Sequence, residues 1–140
     1  MGFWEQLTVV LIGVLAASSG YLIKTFTLEP LLTYRKTEGA IRNKLKYFAR
    51  TIITLEPNSS RAEEVSEICR QLSSDLEESY YSIGLRKRLV AMEKVPSETE
   101  VQVAAKRLIY LANNIRKGES DKNYDAAQDI WDALHFGGKL

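Results

Sequence analysis

The residue types that perform most protein chemistry are scarce and scattered in this chain. The single histidine, His135, lies between Leu134 and Phe136 at the end of a helical pattern, where it can satisfy a terminal carbonyl or the helix dipole. Acid–base catalysis would need a partner that no local motif supplies. The lone cysteine, Cys69, falls on an apolar stripe and reads as a small buried hydrophobe, and a single thiol excludes an internal disulfide and a multi-cysteine zinc site. Glu63 and Glu67 stand one helical turn apart, but no Glu-x-x-His element accompanies them, which argues against a di-metal bundle. No nucleophile elbow, phosphate loop or catalytic-thiol signature surrounds the serines and aspartates. We therefore expect no catalytic residue, no metal and no cofactor. The densest basic run, Arg86-Lys87-Arg88, could bind phosphate, a nucleotide or lipid headgroups, and Tyr80 and Tyr81 beside it would allow base stacking. The same run also reads as a solvated surface, so nucleic acid stays open as a partner.

The charge distribution says more than these residues do. Across 140 residues, 45% hydrophobic and 26% charged with a net charge of +1, the averages exclude a disordered chain and a strongly basic nucleic-acid binder. Yet the first 23 residues hold one charged side chain, Glu5, and from Leu7 to Ile23 there is none. At 1.5 Å per residue that run covers roughly 25 Å, and Phe3, Trp4, Phe26 and the stem of Lys24 extend it across a hydrocarbon core of about 30 Å. Residues 1–28 are therefore expected to form a transmembrane helix and 29–140 a separate helical domain. The acidic start, Met1 to Gln6, lacks the basic residues of a signal peptide, so no cleavage is expected. Lys24, Arg35, Lys36, Arg42, Lys44, Lys46 and Arg50 follow the span, which places the N-terminus outside and the bulk in the cytosol.

Gly13, Ala16, Ala17 and Gly20 share one stripe of this helix, with Ser18 and Ser19 beside it. Small residues let membrane helices approach closely, so a homo-oligomer is expected along this stripe, with membrane lipid as the other partner. No ionisable group sits mid-span, where a channel would be signalled most strongly.

Leu28-Glu29-Pro30 should kink or restart the chain, because proline lacks an N–H and restricts its predecessor. Beyond it, Tyr34, Ile41, Leu45, Phe48 and Ile52 mark a basic amphipathic helix from about Leu31 to Thr54, able to meet anionic headgroups. Pro57-Asn58-Ser59 reads as a turn, and Ser60 with Glu63 as a capping box for an acidic helix to about Ile83 carrying Val65, Ile68, Cys69, Leu72, Leu76 and Tyr80. The opposite charges of these two helices should complement each other in an antiparallel hairpin. Gly84 should end the acidic helix. A short helix over Leu85 to Glu93 follows, then a helix capped by Ser97 and Glu100 and closed by Gly118, and last a helix from about Tyr124 to Phe136 with Ala127, Ile130, Trp131 and Leu134 inward. The expected fold class is all-α: one transmembrane helix followed by a cytosolic bundle of about four helices.

Leu28-Glu29-Pro30-Leu31-Leu32-Thr33-Tyr34-Arg35-Lys36-Thr37-Glu38-Gly39-Ala40-Ile41, leading to Leu45, Phe48 and Ala49, resembles small bacterial proteins with one N-terminal membrane helix and a cytosolic helical bundle. The overall plan also resembles the transmembrane accessory proteins of type VI-B CRISPR systems. That resemblance implies a ring-shaped oligomer in the bacterial inner membrane, related in its cytosolic part to HEPN domains, that acts with an RNA-guided effector in antiviral defence as a pore or membrane-perturbing protein. The HEPN pattern of an arginine shortly before a histidine is missing at His135, so no RNase role is carried over. The reading is a non-enzymatic, oligomeric inner-membrane protein; the alternative is a membrane-tethered adaptor or sensor whose bundle binds a protein or nucleotide.

Overall fold

The structure, a computed structural model, describes residues 2–54 and 60–140, with side chains for all of these except 50–54. Every regular element among the described residues is helical. Helix α1 spans Phe3–Ile23, a π-helical turn covers Lys24–Leu28, and α2 spans Glu29–Thr54. Then come α3 (Ser60–Tyr81), the short α4 (Arg86–Ala91), α5 (Glu98–Asn114), a 3-10 turn (Ile115–Lys117) and α6 (Ser120–Ala133).

No residue of α1 is buried. Val10, Ile12 and Leu15 are each more than half exposed, as are Tyr21 and Ile23 further along, so the helix is apolar all round and nothing among the described residues covers it. Two of its hydroxyls bond within the helix: Thr8 donates to the Trp4 carbonyl and Ser19 to the Leu15 carbonyl, both at 2.8 Å. It is long and apolar enough to cross a membrane.

The expected restart at Pro30 does not occur; one helix continues from Phe3 to beyond Ala49. The π turn is the reason. In a regular helix the Pro30 ring would collide with the carbonyl four residues back, that of Phe26, which would also lack its N–H partner. Here the Glu29 N–H reaches past it to the Lys24 carbonyl, a π-type bond. The Phe26 carbonyl turns to a different donor, the Gly84 N–H, at 2.7 Å.

Helices α2, α3, α5 and α6 share one core. Tyr34, Ile41, Leu45 and Phe48 of α2 are buried as their spacing predicts, while the Ile52 side chain lies outside the described residues. Tyr34 meets Tyr80 with ring centroids 5.6 Å apart, and Arg61 reaches the Tyr47 hydroxyl at the opposite end, so α2 and α3 run antiparallel. Between α3 and α5, Ser66 donates to the Ala112 carbonyl at 2.7 Å and Ser73 to the Ala105 carbonyl at 2.9 Å. These small side chains face backbone, which brings the two helices close. Arg107 pairs with Asp129 at 3.0 Å across α5 and α6. Trp131 and Ile130 of α6 close the core.

Three local expectations change. The charge complementarity between α2 and α3 yields no direct ion pair among the described residues: Arg42 and Lys46 lie over the Trp131 ring, and Glu63 pairs with Arg116 at 3.2 Å. Ser60 is already helical rather than the residue before the helix, and the Pro57-Asn58-Ser59 turn lies outside the described residues. The last helix starts at Ser120, a turn earlier than Tyr124, and buries Asn123, a polar residue that the apolar periodicity passes over. The Ser97–Glu100 capping box and the left-handed Gly118 form as expected.

Two glycines make a paired test. A Cβ at Gly84 would lie 2.3 Å from the Phe26 carbonyl oxygen, whereas one at Gly39 meets nothing within 4 Å. Gly84→Ala should therefore destabilise by about 1–3 kcal/mol through overpacking. Gly39→Ala should stabilise by about 0.5–1 kcal/mol through helix propensity, and thermal denaturation in detergent reads both.

Candidate functional site

The junction between α1 and the rest of the chain is built by the residues that the sequence reads as a break. Phe26 and Leu28, at the end of the apolar helix, remain 61% and 50% exposed, while the backbone between them is held by the loop after α3. Gly84 is not a left-handed cap there. The left-handed residue is its neighbour Leu85, at φ 55°, and Gly84 serves instead to let two backbones touch. Thr27 Oγ1 would also stand 3.2 Å from any side chain at position 84.

Gly13, Ala16, Ala17 and Gly20 all lie exposed on α1, and among the described residues nothing beyond the adjoining helix backbone comes within 4 Å of where a Cβ would stand on Gly13 or Gly20. Neither glycine is required by a contact inside the chain.

The basic run divides. Arg86 is half-buried, with its guanidinium 5.1 Å and 4.9 Å from the ring centroids of Tyr80 and Tyr81, and it donates to the Tyr81 carbonyl at 3.3 Å. It fastens α4 to the end of α3. Lys87 and Arg88 point outward, exposed and without a carboxylate in pairing range among the described residues. The two tyrosines expected as a stacking platform are engaged: Tyr80 is buried and donates to the Pro96 carbonyl at 2.8 Å, and Tyr81 donates to Glu98 at 3.2 Å. Burial raises the Tyr80 pKa against the opposing pull of Arg86.

A cleft of about 420 Å³ lies between α2, the turn after α4 and the turn after α6. Arg35, Glu38, Arg42, Lys94 and His135 line it. Arg35 donates to the buried Glu38 at 2.8 Å and to the Lys94 carbonyl, so it ties the turn to α2 rather than facing a ligand. Glu38 in turn sits beside Tyr34, whose hydroxyl pKa is driven far up by burial first and by this carboxylate second. Two of the three non-glycine residues at positive φ, Glu93 at 56° and His135 at 59°, border the cleft. Its lining mixes the cations Arg35, Arg42 and Lys94 with the carboxylates Glu38 and Glu93 and with His135.

His135 proves to be neither buried nor a carbonyl cap: its side chain is 61% exposed and its Nε2 lies 3.0 Å from Glu100 Oε1. Glu100 is the shared partner, for its other oxygen accepts the Ser97 N–H at 2.8 Å. Burial works to raise the Glu100 pKa, but the Ser97 N–H and then His135 outweigh it and hold the carboxyl below its ordinary value. Cys69 is buried, and burial pushes its thiol up to about 12. Among the described residues no group of histidine, cysteine and carboxylate side chains is arranged to hold a metal ion. The junction is what sequence reasoning misses: Pro30 signals a disturbed backbone, but nothing local pairs position 26 with position 84.

Two measurements probe these groups. Because Glu100 titrates low when folded, the stability it adds is complete at neutral pH and is lost as the pH falls through its depressed pKa. Glu100→Gln should therefore lower stability at pH 7 and flatten the acid limb of a stability–pH curve. Cys69 should resist iodoacetamide at pH 8 in the folded chain and react once denatured, since only the thiolate is nucleophilic. No family model matches the chain, and no curated protein or solved structure matches it.

Proposed function

We propose that this chain is a non-enzymatic, oligomeric single-pass membrane protein whose helical bundle is held against the cytosolic face of the bacterial inner membrane. The observation that carries the reading is α1, an all-round apolar helix with no buried residue. In water such a surface is a large unfavourable exposure, and in a bilayer it is matched. The cations that follow the span support a bundle on the inner side. Self-association along Gly13, Ala16, Ala17 and Gly20 draws support from the open space around both glycines.

Within this reading a tether is better supported than a pore. A lumen formed by a ring of single helices needs polar atoms turned toward it, and Thr8 and Ser19 already spend their hydroxyl protons on their own helix. The cleft, bordered by Arg42, Lys94 and His135 and also by Glu38 and Glu93, favours an adaptor or sensor role, with a charged protein segment as its occupant. The antiviral pore remains the competing proposal, and it draws on the likeness in overall plan to the CRISPR accessory proteins.

The experiment is mass measurement of the full chain in detergent with ion flux from reconstituted vesicles. Wild type should run as an oligomer that Gly13→Leu and Gly20→Leu dissociate, and vesicles should hold their ion gradient. A monodisperse single chain in the aqueous fraction of lysed cells would overturn the membrane reading. Conductance that disappears with the glycine variants would replace the tether with the pore.

A further inference from the structure

We propose that the first turn of α4 is a second membrane contact, in which Lys87 and Arg88 bind the phosphates of anionic phospholipid headgroups in the leaflet where α1 ends. The inference rests on the membrane reading of α1. Its geometric basis is the 2.7 Å bond from the Gly84 N–H to the Phe26 carbonyl, which joins the loop entering α4 to the last apolar turn before α2. The other end of α4 is fixed further along: Arg35 holds the Lys94 carbonyl, and Arg35 lies about 13 Å along the helix from Phe26. Helix α4 thus rises beside α2 away from the span, with its basic first turn at the lower end.

At that height charge counts. The negative potential of an anionic leaflet fades over about 8–10 Å, so cations near the Phe26 level feel it while those near Arg35 do so weakly. Arg86 is committed to Tyr80 and Tyr81, and this leaves its two neighbours exposed and unpaired among the described residues. The apolar side chains beside them suit the same boundary: Leu85 is 59% exposed although its backbone is in the strained left-handed region, and Tyr81 is partly exposed. The nearby carboxylates Glu29 and Glu78 line a different hollow with Thr25 and Ser82, and Glu29 faces Lys24 at 4.0 Å. Continuity with the span and the sign of the charge select lipid as the occupant.

The test is amide hydrogen exchange of the full chain in nanodiscs of phosphatidylcholine alone or with one-third phosphatidylglycerol, comparing wild type with Lys87→Gln/Arg88→Gln. With anionic lipid, exchange over 84–91 should slow by about fivefold for each of the two cations, revert in high salt and be absent in the double variant. Equal exchange in the two lipids for an embedded chain overturns this inference and leaves the membrane reading standing. Extraction of the chain by alkaline carbonate overturns both. Protection by inorganic phosphate or an RNA oligonucleotide in neutral discs, with no response to phosphatidylglycerol, overturns it in favour of a soluble anion or nucleic acid.

Discussion

The architecture depends on one carbonyl group. Proline at position 30 leaves the Phe26 oxygen without its helical donor, and the Gly84 amide supplies the replacement. An orphaned backbone group in a half-apolar setting is unfavourable by an amount comparable to a lost hydrogen bond. The proline that would break the helix thus creates the acceptor that docks the α3–α4 loop. The absence of a side chain at position 84 is what lets the two backbones come this close.

A second constraint shapes the bundle. Its helices meet through small residues as much as through large ones: Ala62, Ser66, Cys69 and Ser73 of α3 are buried against α5, where Ala104, Ala105 and Ala112 face them. Serine hydroxyls spanning to backbone carbonyls keep these contacts satisfied without adding volume. The larger volume sits elsewhere, in Tyr34, Tyr80 and Trp131; the Tyr80 hydroxyl donates to the Pro96 carbonyl and the Trp131 indole to the Gly137 carbonyl, both at 2.8 Å.

Much of this was legible because periodicity reports burial. The apolar stripes of α2, α3, α5 and α6 are buried almost residue for residue, and the Ser97 box and Gly118 mark ends where local chemistry decides. Where a partner distant in sequence decides, the reading went astray. Pro30 signals a kink or a restart, and the continuing helix rests on a bond from position 84 that no local pattern shows; His135 reads as a cap because Glu100 is equally distant. The α2–α3 charge opposition was visible, but its basic members found Trp131, a partner whose position depends on the fourth packed helix. Of the candidate sites, the basic run was named as three equivalent residues; only the two tyrosine rings separate Arg86 from the others.

The unbroken helix from Phe3 to Ala49 has a mechanical consequence. At 1.5 Å per residue it is about 70 Å long, more than twice the thickness of a hydrocarbon core, and its π turn is fastened to the loop after α3 by the Gly84–Phe26 bond. A bilayer that thins or thickens is met by rotation of a spanning helix relative to the membrane normal. Here such a tilt would swing the whole bundle with it, so the protruding domain would act as a pointer that registers local bilayer thickness.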